Sequence, residues 1–372
     1  MVQREGRMKV LVTGGLGLIG SACCKHFADK GWEVIAVDNN TRQAIFGADA
    51  STAVTADEED VFSRKGVEIV EADIRDKDKM EKIIKNVDAV VHLAAQPSHP
   101  RSLEIPMEDF QINAFGTLQL LELTRQHNHG VPFAFMSTNK VYGDYPNYFN
   151  YKIVGKRYEN TAVDSFDEQL PIDRCGHTPF GVSKAAADLY TQEYGINYGM
   201  KTATFRGGCL TGKNSRAVEM HGYLPYIIKC ALLGQHYNIY GGGYRVRDQI
   251  HSSDVASAIY EFINRPKPNA LGQYGQAYNI GGGRQNSISI FETIDAIKAK
   301  TGIDLKWTEA KERESDHIWW ISNNSKLQSD YPKWKITKNL DFIFNEILEY
   351  YINKNRLSIK LQNAGYFSGG SK

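Results

Sequence analysis

Apolar residues in this chain come in short, nearly continuous runs. Runs at 9–13, 33–38, 67–70, 89–93, 132–136 and 202–206 read as strands, and 277–280 reads as a later strand that returns near them. Between them lie stretches with helical spacing, first at about 21–30, then from 109 to about 126 and from 181 to about 199. Strands without polar alternation are covered on both faces, which is the habit of parallel sheets. Strands that take turns with helices imply βαβ units. The expected fold class is therefore α/β, a doubly wound parallel sheet. Beyond residue 206 the pattern becomes irregular, with glycines, aromatics and scattered basic residues.

Composition narrows the partners. The chain has 372 residues and a formal net charge of +1, so it has ample core and no pull toward a polyelectrolyte. No basic stripe is interleaved with aromatics, so no nucleic-acid role is expected. No apolar run reaches the roughly 18–20 residues of a membrane helix, and the first residues lack the apolar stretch of a signal peptide. The five cysteines, Cys23, Cys24, Cys175, Cys209 and Cys230, are odd in number and match no metal framework. Reduced thiols in a cytoplasmic protein are the expectation, without a bound metal, and Cys23 and Cys24 read as helix packing residues.

Candidate chemistry begins at Thr13-Gly14-Gly15-Leu16-Gly17-Leu18-Ile19-Gly20, between the first strand and the first helix. Gly14, Gly17 and Gly20 suit a tight turn, close backbone approach to a pyrophosphate and close helix–strand packing. Leu18 and Ile19 open the helix, whose N-terminal N–H groups favour phosphate. Asp38 ends the next strand, where its carboxylate can accept from both ribose hydroxyls and repel a 2′-phosphate. That predicts a Rossmann domain with NAD favoured over NADP; the nearby Arg42 keeps NADP open. Asn39 follows Asp38. Asp73 and Ile74 would flank the adenine, Leu93, Ala94 and Ala95 would run beneath the cofactor, and Asn113 would tie backbone elements together from the next helix. The Ala/Thr/Asp-rich stretch 39–64 reads as a surface excursion at the adenosine end. The expected division is residues 1–205 with a returning segment at about 246–283 for the cofactor domain, 206–245 and 284–358 for a smaller substrate-binding lobe, and a weakly ordered tail at 359–372.

Taken together, TGGLGLIG, HLAAQ, STNKVYGD, FGVSK, RVRDQIHSSD and YNIGGG resemble, in order and spacing, the extended short-chain dehydrogenase/reductases, over about residues 8–340. This group contains nucleotide-sugar epimerases and dehydratases. Thr138-Asn139-Lys140 looks like the CDP-paratose 2-epimerase (CDP-tyvelose epimerase) branch. The resemblance implies an NAD-dependent epimerase that inverts a sugar carbon, carbon 2 of a CDP- or related sugar, through a transient keto-sugar. It also implies that Thr138 bonds the reacting oxygen, that Lys184 binds the nicotinamide ribose, and that Arg206 and Gly208 pass beside the nicotinamide. Arg247 and Arg313 are the candidates for the diphosphate, since guanidinium binds phosphate bidentately, with Asp248 orienting Arg247. Gln96, Ser98, Asn139, Asn214 and His221 are candidates for sugar hydroxyls; a structural role is open for each.

Phe180 breaks the pattern. In the family a tyrosine stands four residues before the lysine of Lys184 and moves the proton, and phenylalanine cannot. Either another group serves (Lys140, His221, Tyr142, Lys184 or a bound water), or the residue, natural or engineered, leaves a protein that binds NAD and ligand with little turnover. A 4-epimerase would use the same cofactor geometry. A 4,6-dehydratase would need an Asp-Glu pair where Asn139-Lys140 stands. The family pairs the helices starting near residues 109 and 181 across a two-fold axis, which implies a homodimer.

Overall fold

The computed structural model describes residues 6–54, 62–362 and 367. The end of the expected tail, 363–366 and 368–372, and residues 55–61 of the excursion lie outside the described residues.

Seven strands form one parallel sheet: β1 (Lys9–Thr13), β2 (Glu33–Asp38), β3 (Val67–Glu71), β4 (Ala89–His92), β5 (Phe133–Thr138), β6 (Thr202–Gly207) and β7 (Gln276–Ile280). Their order is β3-β2-β1-β4-β5-β6-β7. The order reverses between β1 and β4, and a doubly wound sheet opens its ligand crevice there, beyond the carboxyl ends of the strands. Val10, Val12, Val34, Ala36, Ala89 and Val91 pack on one face, while Leu11, Ile35, Val37, Val90, Phe133 and Phe135 pack on the other, which explains the unbroken apolar runs.

The helix after β1 spans Leu18–Asp29, starting earlier than the sequence pattern suggests because Gly17 is its N-cap and the glycine turn leads straight into it. Cys23 and Cys24 are fully buried on it. The helical run from Pro106 to His127 contains a π turn at Gln111–Phe115. The helix Pro179–Ile196 starts with proline at its first position, where the missing N–H costs nothing.

A second core lies apart from the sheet, built from Leu224, Ile227, Ile228, Ile239, Ile297, Leu305, Phe344, Ile347 and their neighbours. The segment 246–280 packs with the sheet through Ile250, Val255, Ile259 and Phe262. So do Leu327, Tyr331 and Trp334, from the stretch expected in the smaller lobe. Among the described residues, no helix is long and apolar enough to cross a membrane.

Candidate active site

A cavity of about 440 Å³ runs along the carboxyl ends of β1, β2, β4, β5 and β6 and on between the two cores. At one end the glycine turn forms a cradle. A Cβ on Gly20 would sit 1.9 Å from the Gly14 carbonyl oxygen, and one on Gly14 would sit 2.8 Å from the Ala94 nitrogen. Gly14 also has φ +64°, which favours glycine. Gly17 differs: a Cβ there would meet only the Gly14 oxygen, at 3.3 Å, so its open side belongs to the cavity. No side chain caps the Leu18–Asp29 helix, so its first N–H groups are left for an anion.

Asp38 lines this end and accepts from Leu16 N at 3.1 Å, Asn40 N at 2.9 Å and Thr52 Oγ1 at 3.1 Å. The excursion after β2 thus folds back onto the carboxylate. Arg42 points elsewhere: it reaches His221 Nδ1 at 3.2 Å and the Arg216 carbonyl at 3.1 Å, and lies over Phe46. Its guanidinium is committed to the second lobe rather than to a 2′-phosphate. Asp73 is held by Arg75 and accepts from Asn39, with its carboxyl kept below the usual range by the Arg75 hydrogen bond. Asn39, Asp73, Ile74, Leu93, Ala94 and Ala95 all line the cavity. A glycine cradle, a helix N-terminus and an acid at the end of β2 fit a dinucleotide.

Thr138 ends β5 at the other end, beside Asn139, Phe180, Lys184 and Gly208. Lys184 is buried and donates from Nζ to the Met136 carbonyl at 2.7 Å. Burial lowers its pKa to about 7. Lys140 reaches the Ser315 carbonyl at 3.0 Å and Asp316 Oδ1 at 3.3 Å. Arg247 reaches the same Asp316 oxygen at 2.9 Å. These cations hold the half-buried Asp316 carboxyl well below its usual range. Arg313 lies 3.9 Å from the Tyr240 ring centroid and donates to the Glu219 carbonyl.

Several sequence candidates are not brought to the cavity. Arg206 sits on β6 with its side chain on the opposite face, bound to Asp188 at 2.9 Å and 3.1 Å and to Tyr142 Oη at 3.0 Å. Adjacent strand residues face opposite ways, so Gly207 reaches the cavity and Arg206 does not. Asn113, placed by the π turn, accepts from Gln96 N at 2.9 Å and donates to Asp109 at 3.1 Å. Gln96 and Ser98 are fully buried: the Gln96 amide reaches Asp109 at 2.7 Å, and Ser98 caps the short helix His99–Ser102. These three shape the loop after β4 from behind it. Asn214 lies outside the cavity lining. Asp248 does not orient Arg247: it accepts from Gly283 N and Ser322 N, each at 3.0 Å, on the other side of its strand. The orienting carboxylate is Asp316.

Two candidates for the missing proton carrier also fall away. Tyr142 is fully buried outside the cavity lining and donates to Asn279 at 2.8 Å. His221 lines the adenosine end instead, against Arg42 and stacked on Phe46, where burial lowers its pKa to about 3. Sequence reasoning named none of His99, Glu219, Arg245 and Asp316 as site residues; all four line the cavity. The available signal for His99 was its place in the loop just beyond the end of β4.

The model of the NAD dependent epimerase/dehydratase family matches residues 10–281. The chain belongs to this family. It is 32% identical over 330 residues to the CDP-paratose 2-epimerase of Salmonella typhi, covering 86% of this chain and 92% of the relative. Among solved structures it resembles the UDP-glucose 4-epimerase of Thermotoga maritima with UDP-glucose: TM-score 0.75, 25% identity, 94% of this chain and 100% of that one. It also resembles the UDP-glucose 4-epimerase of Thermus thermophilus complexed with NAD: TM-score 0.69, 26% identity, 92% and 99%. The family's cofactor is NAD, and the short-chain dehydrogenase/reductase resemblance of the sequence motifs agrees with the Rossmann sheet.

Proposed function

We propose that this chain inverts carbon 2 of a CDP- or related nucleotide sugar through a transient keto-sugar. The observation that carries this reading is the Lys140–Asp316–Arg247 network beside Thr138. A dehydratase needs a carboxyl group there to deliver a proton. Here Lys140 stands in its place, and the nearby carboxylate is neutralised by two cations. A redox-neutral inversion needs no such acid, and the 32% identical relative is named for a carbon-2 reaction.

NAD, when bound, accepts a hydride from the sugar and returns it. Gly14, Gly17, Leu18 and Ile19 would hold its pyrophosphate, Asp38 the adenosine ribose, and Asp73 and Ile74 the adenine. Leu93, Ala94, Ala95 and Gly208 would border the cofactor path. Lys184 would hold the nicotinamide ribose, Thr138 and Asn139 the sugar hydroxyls, and Arg247 and Arg313 the diphosphate. The two lobes would close this cavity from either side, with Leu327, Tyr331 and Trp334 counted with the sheet.

The protein would act as a cytoplasmic homodimer. Met107, Phe110 and Phe115 are 71%, 52% and 46% exposed on one helical run, and Val182 and Leu189 are 57% and 49% exposed on the helix Pro179–Ile196. Burying such side chains against a second copy would remove a large apolar surface from water. Light scattering tests this, and a monomer refutes it.

Phe180 supports a second reading, a protein that binds NAD and sugar nucleotide with little turnover. Proton NMR of CDP-, UDP- and GDP-sugars with the unmodified protein and NAD decides between them. A 2-epimer supports the proposal, a 4-epimer moves it to carbon 4, and NAD retained without any conversion supports the second reading.

A further inference from the structure

We infer that His99 is the acid–base group that takes the place of the missing tyrosine, receiving the sugar hydroxyl proton on Nε2 and giving it back. This rests on the epimerase reading above.

Position is the first argument. His99 opens the short helix His99–Ser102, which sits directly on the start of the Phe180 helix. Ser102 Oγ donates to the His99 carbonyl at 2.8 Å and accepts from Phe180 N at 3.1 Å. One hydroxyl thus ties the histidine turn to the residue that lost its phenol. Both side chains line the same cavity as Thr138 and Lys184.

Commitment is the second argument. The Lys140 ammonium is engaged by Ser315 and Asp316, and Lys184 Nζ by the Met136 carbonyl. Tyr142 and His221 lie elsewhere. His99 Nε2 is buried and has no hydrogen-bond partner among the described residues. A ring nitrogen in that state has given up water without a protein partner in exchange, so a sugar hydroxyl brought to it at the cavity wall would regain the lost hydrogen bond.

Electrostatics is the third. Burial, then Lys140, Arg313 and Arg247, hold the imidazole down to about 3, opposed by Asp316. The free protein therefore presents the neutral base. A nucleoside diphosphate between Arg247 and Arg313 would cancel two of the charges that disfavour the imidazolium, so substrate binding raises the basicity of Nε2 where it is used. With NAD bound to take up the hydride, the O–H proton would pass to Nε2 as the C=O bond forms. The reverse returns hydride and proton, so the cycle balances without an outside oxidant.

The test compares His99→Gln and His99→Ala with the unmodified holoenzyme. Glutamine keeps a hydrogen-bonding amide but carries no mobile proton. Expected for His99→Gln is a fall in kcat of about 10²–10⁴-fold with less than about tenfold change in KM. Free imidazole should restore part of the rate of His99→Ala. A His99→Gln enzyme with unaltered kcat overturns the inference. A readout independent of turnover is the ¹⁵N resonance of His99 Nε2 in the unmodified NAD-loaded protein. It should shift on adding a CDP-sugar and shift less with CDP alone. If the unmodified chain converts no sugar, the epimerase reading fails by itself. A resonance shift then still places His99 at the sugar, and a resonance indifferent to the sugar overturns the inference.

Discussion

Lys184 Nζ donates to the Met136 carbonyl at 2.7 Å and lies 4.1 Å from the Phe135 ring centroid. The end of β5 thus fixes the ammonium without any help from a phenol. With no tyrosine to activate, holding the cofactor is the role proposed for this lysine. Lys184→Met should lower kcat by about 10²-fold or more. It should also let NAD dialyse away from a protein that otherwise retains it. Cofactor content by absorbance checks the second effect, and full retention with full turnover would show that the lysine serves packing alone.

The buried pair Arg206–Asp188 gives a stability prediction. Both partners are nearly inaccessible, at 6% and 1% side-chain exposure, and the guanidinium also meets Tyr142. Asp188→Ala strands a buried cation and should cost about 3–5 kcal/mol in urea unfolding. Asp188→Leu combined with Arg206→Met should cost less than the single change, because no charge is left unpaired. Equal losses would mean that packing, not charge, sets the value.

How much of this was legible in the sequence depended on the range of the interaction. The sheet and the glycine cradle were readable because strand, turn and helix are contiguous, and Gly14, Gly17 and Gly20 carry the geometry in eight residues. Arg206 looked like a site residue because motif position says nothing about which face of a strand a side chain takes. Gln96 and Ser98 looked like ligand contacts because polar groups that brace a loop and polar groups that touch a ligand are the same residue types, whereas Asn113 ties the Gln96 backbone as its amide suggested. Asp316 and His99 were missed because distant segments carry them to the cavity that Thr138 lines, and only the packed tertiary structure brings them there.

Two glycines that look alike in the motif should behave differently when replaced. Gly20→Ala forces a methyl onto the Gly14 carbonyl at 1.9 Å, so the helix must move away from the strand. A loss of folding stability at the upper end of overpacking, about 3 kcal/mol, is expected. Gly17→Ala meets one atom at 3.3 Å and otherwise enters the cavity. It should fold with nearly unchanged stability and bind NAD more weakly. Thermal unfolding and a cofactor titration separate the two, and a Gly17→Ala protein with unchanged NAD affinity would take the pyrophosphate away from this turn.

Acid should destabilise the fold through histidines kept neutral by burial. His92 bridges Thr13 and Thr117 at 2.7 Å and 2.9 Å, and burial lowers its pKa from 6.5 to about 3; His221 is lowered to about 3 by burial and then by Arg42. Burial also lowers His317, which sits against the Gly143 carbonyl, well below the usual histidine range. As pH falls through 6.5 the unfolded chain takes up these protons, while folded His92 and His221 refuse them until about 3. Below 6.5 the unfolded state therefore binds more protons, and stability declines by about 1.4 kcal/mol per pH unit for each such histidine. Asp248, whose carboxyl burial raises to about 6, pushes the other way, so the informative quantity is a difference between proteins. His221→Gln keeps a polar side chain but cannot titrate. Its urea midpoint should fall less than that of the unmodified protein between about pH 6.5 and about pH 4. Parallel curves would mean that His221 is protonated alike in the folded and unfolded chains.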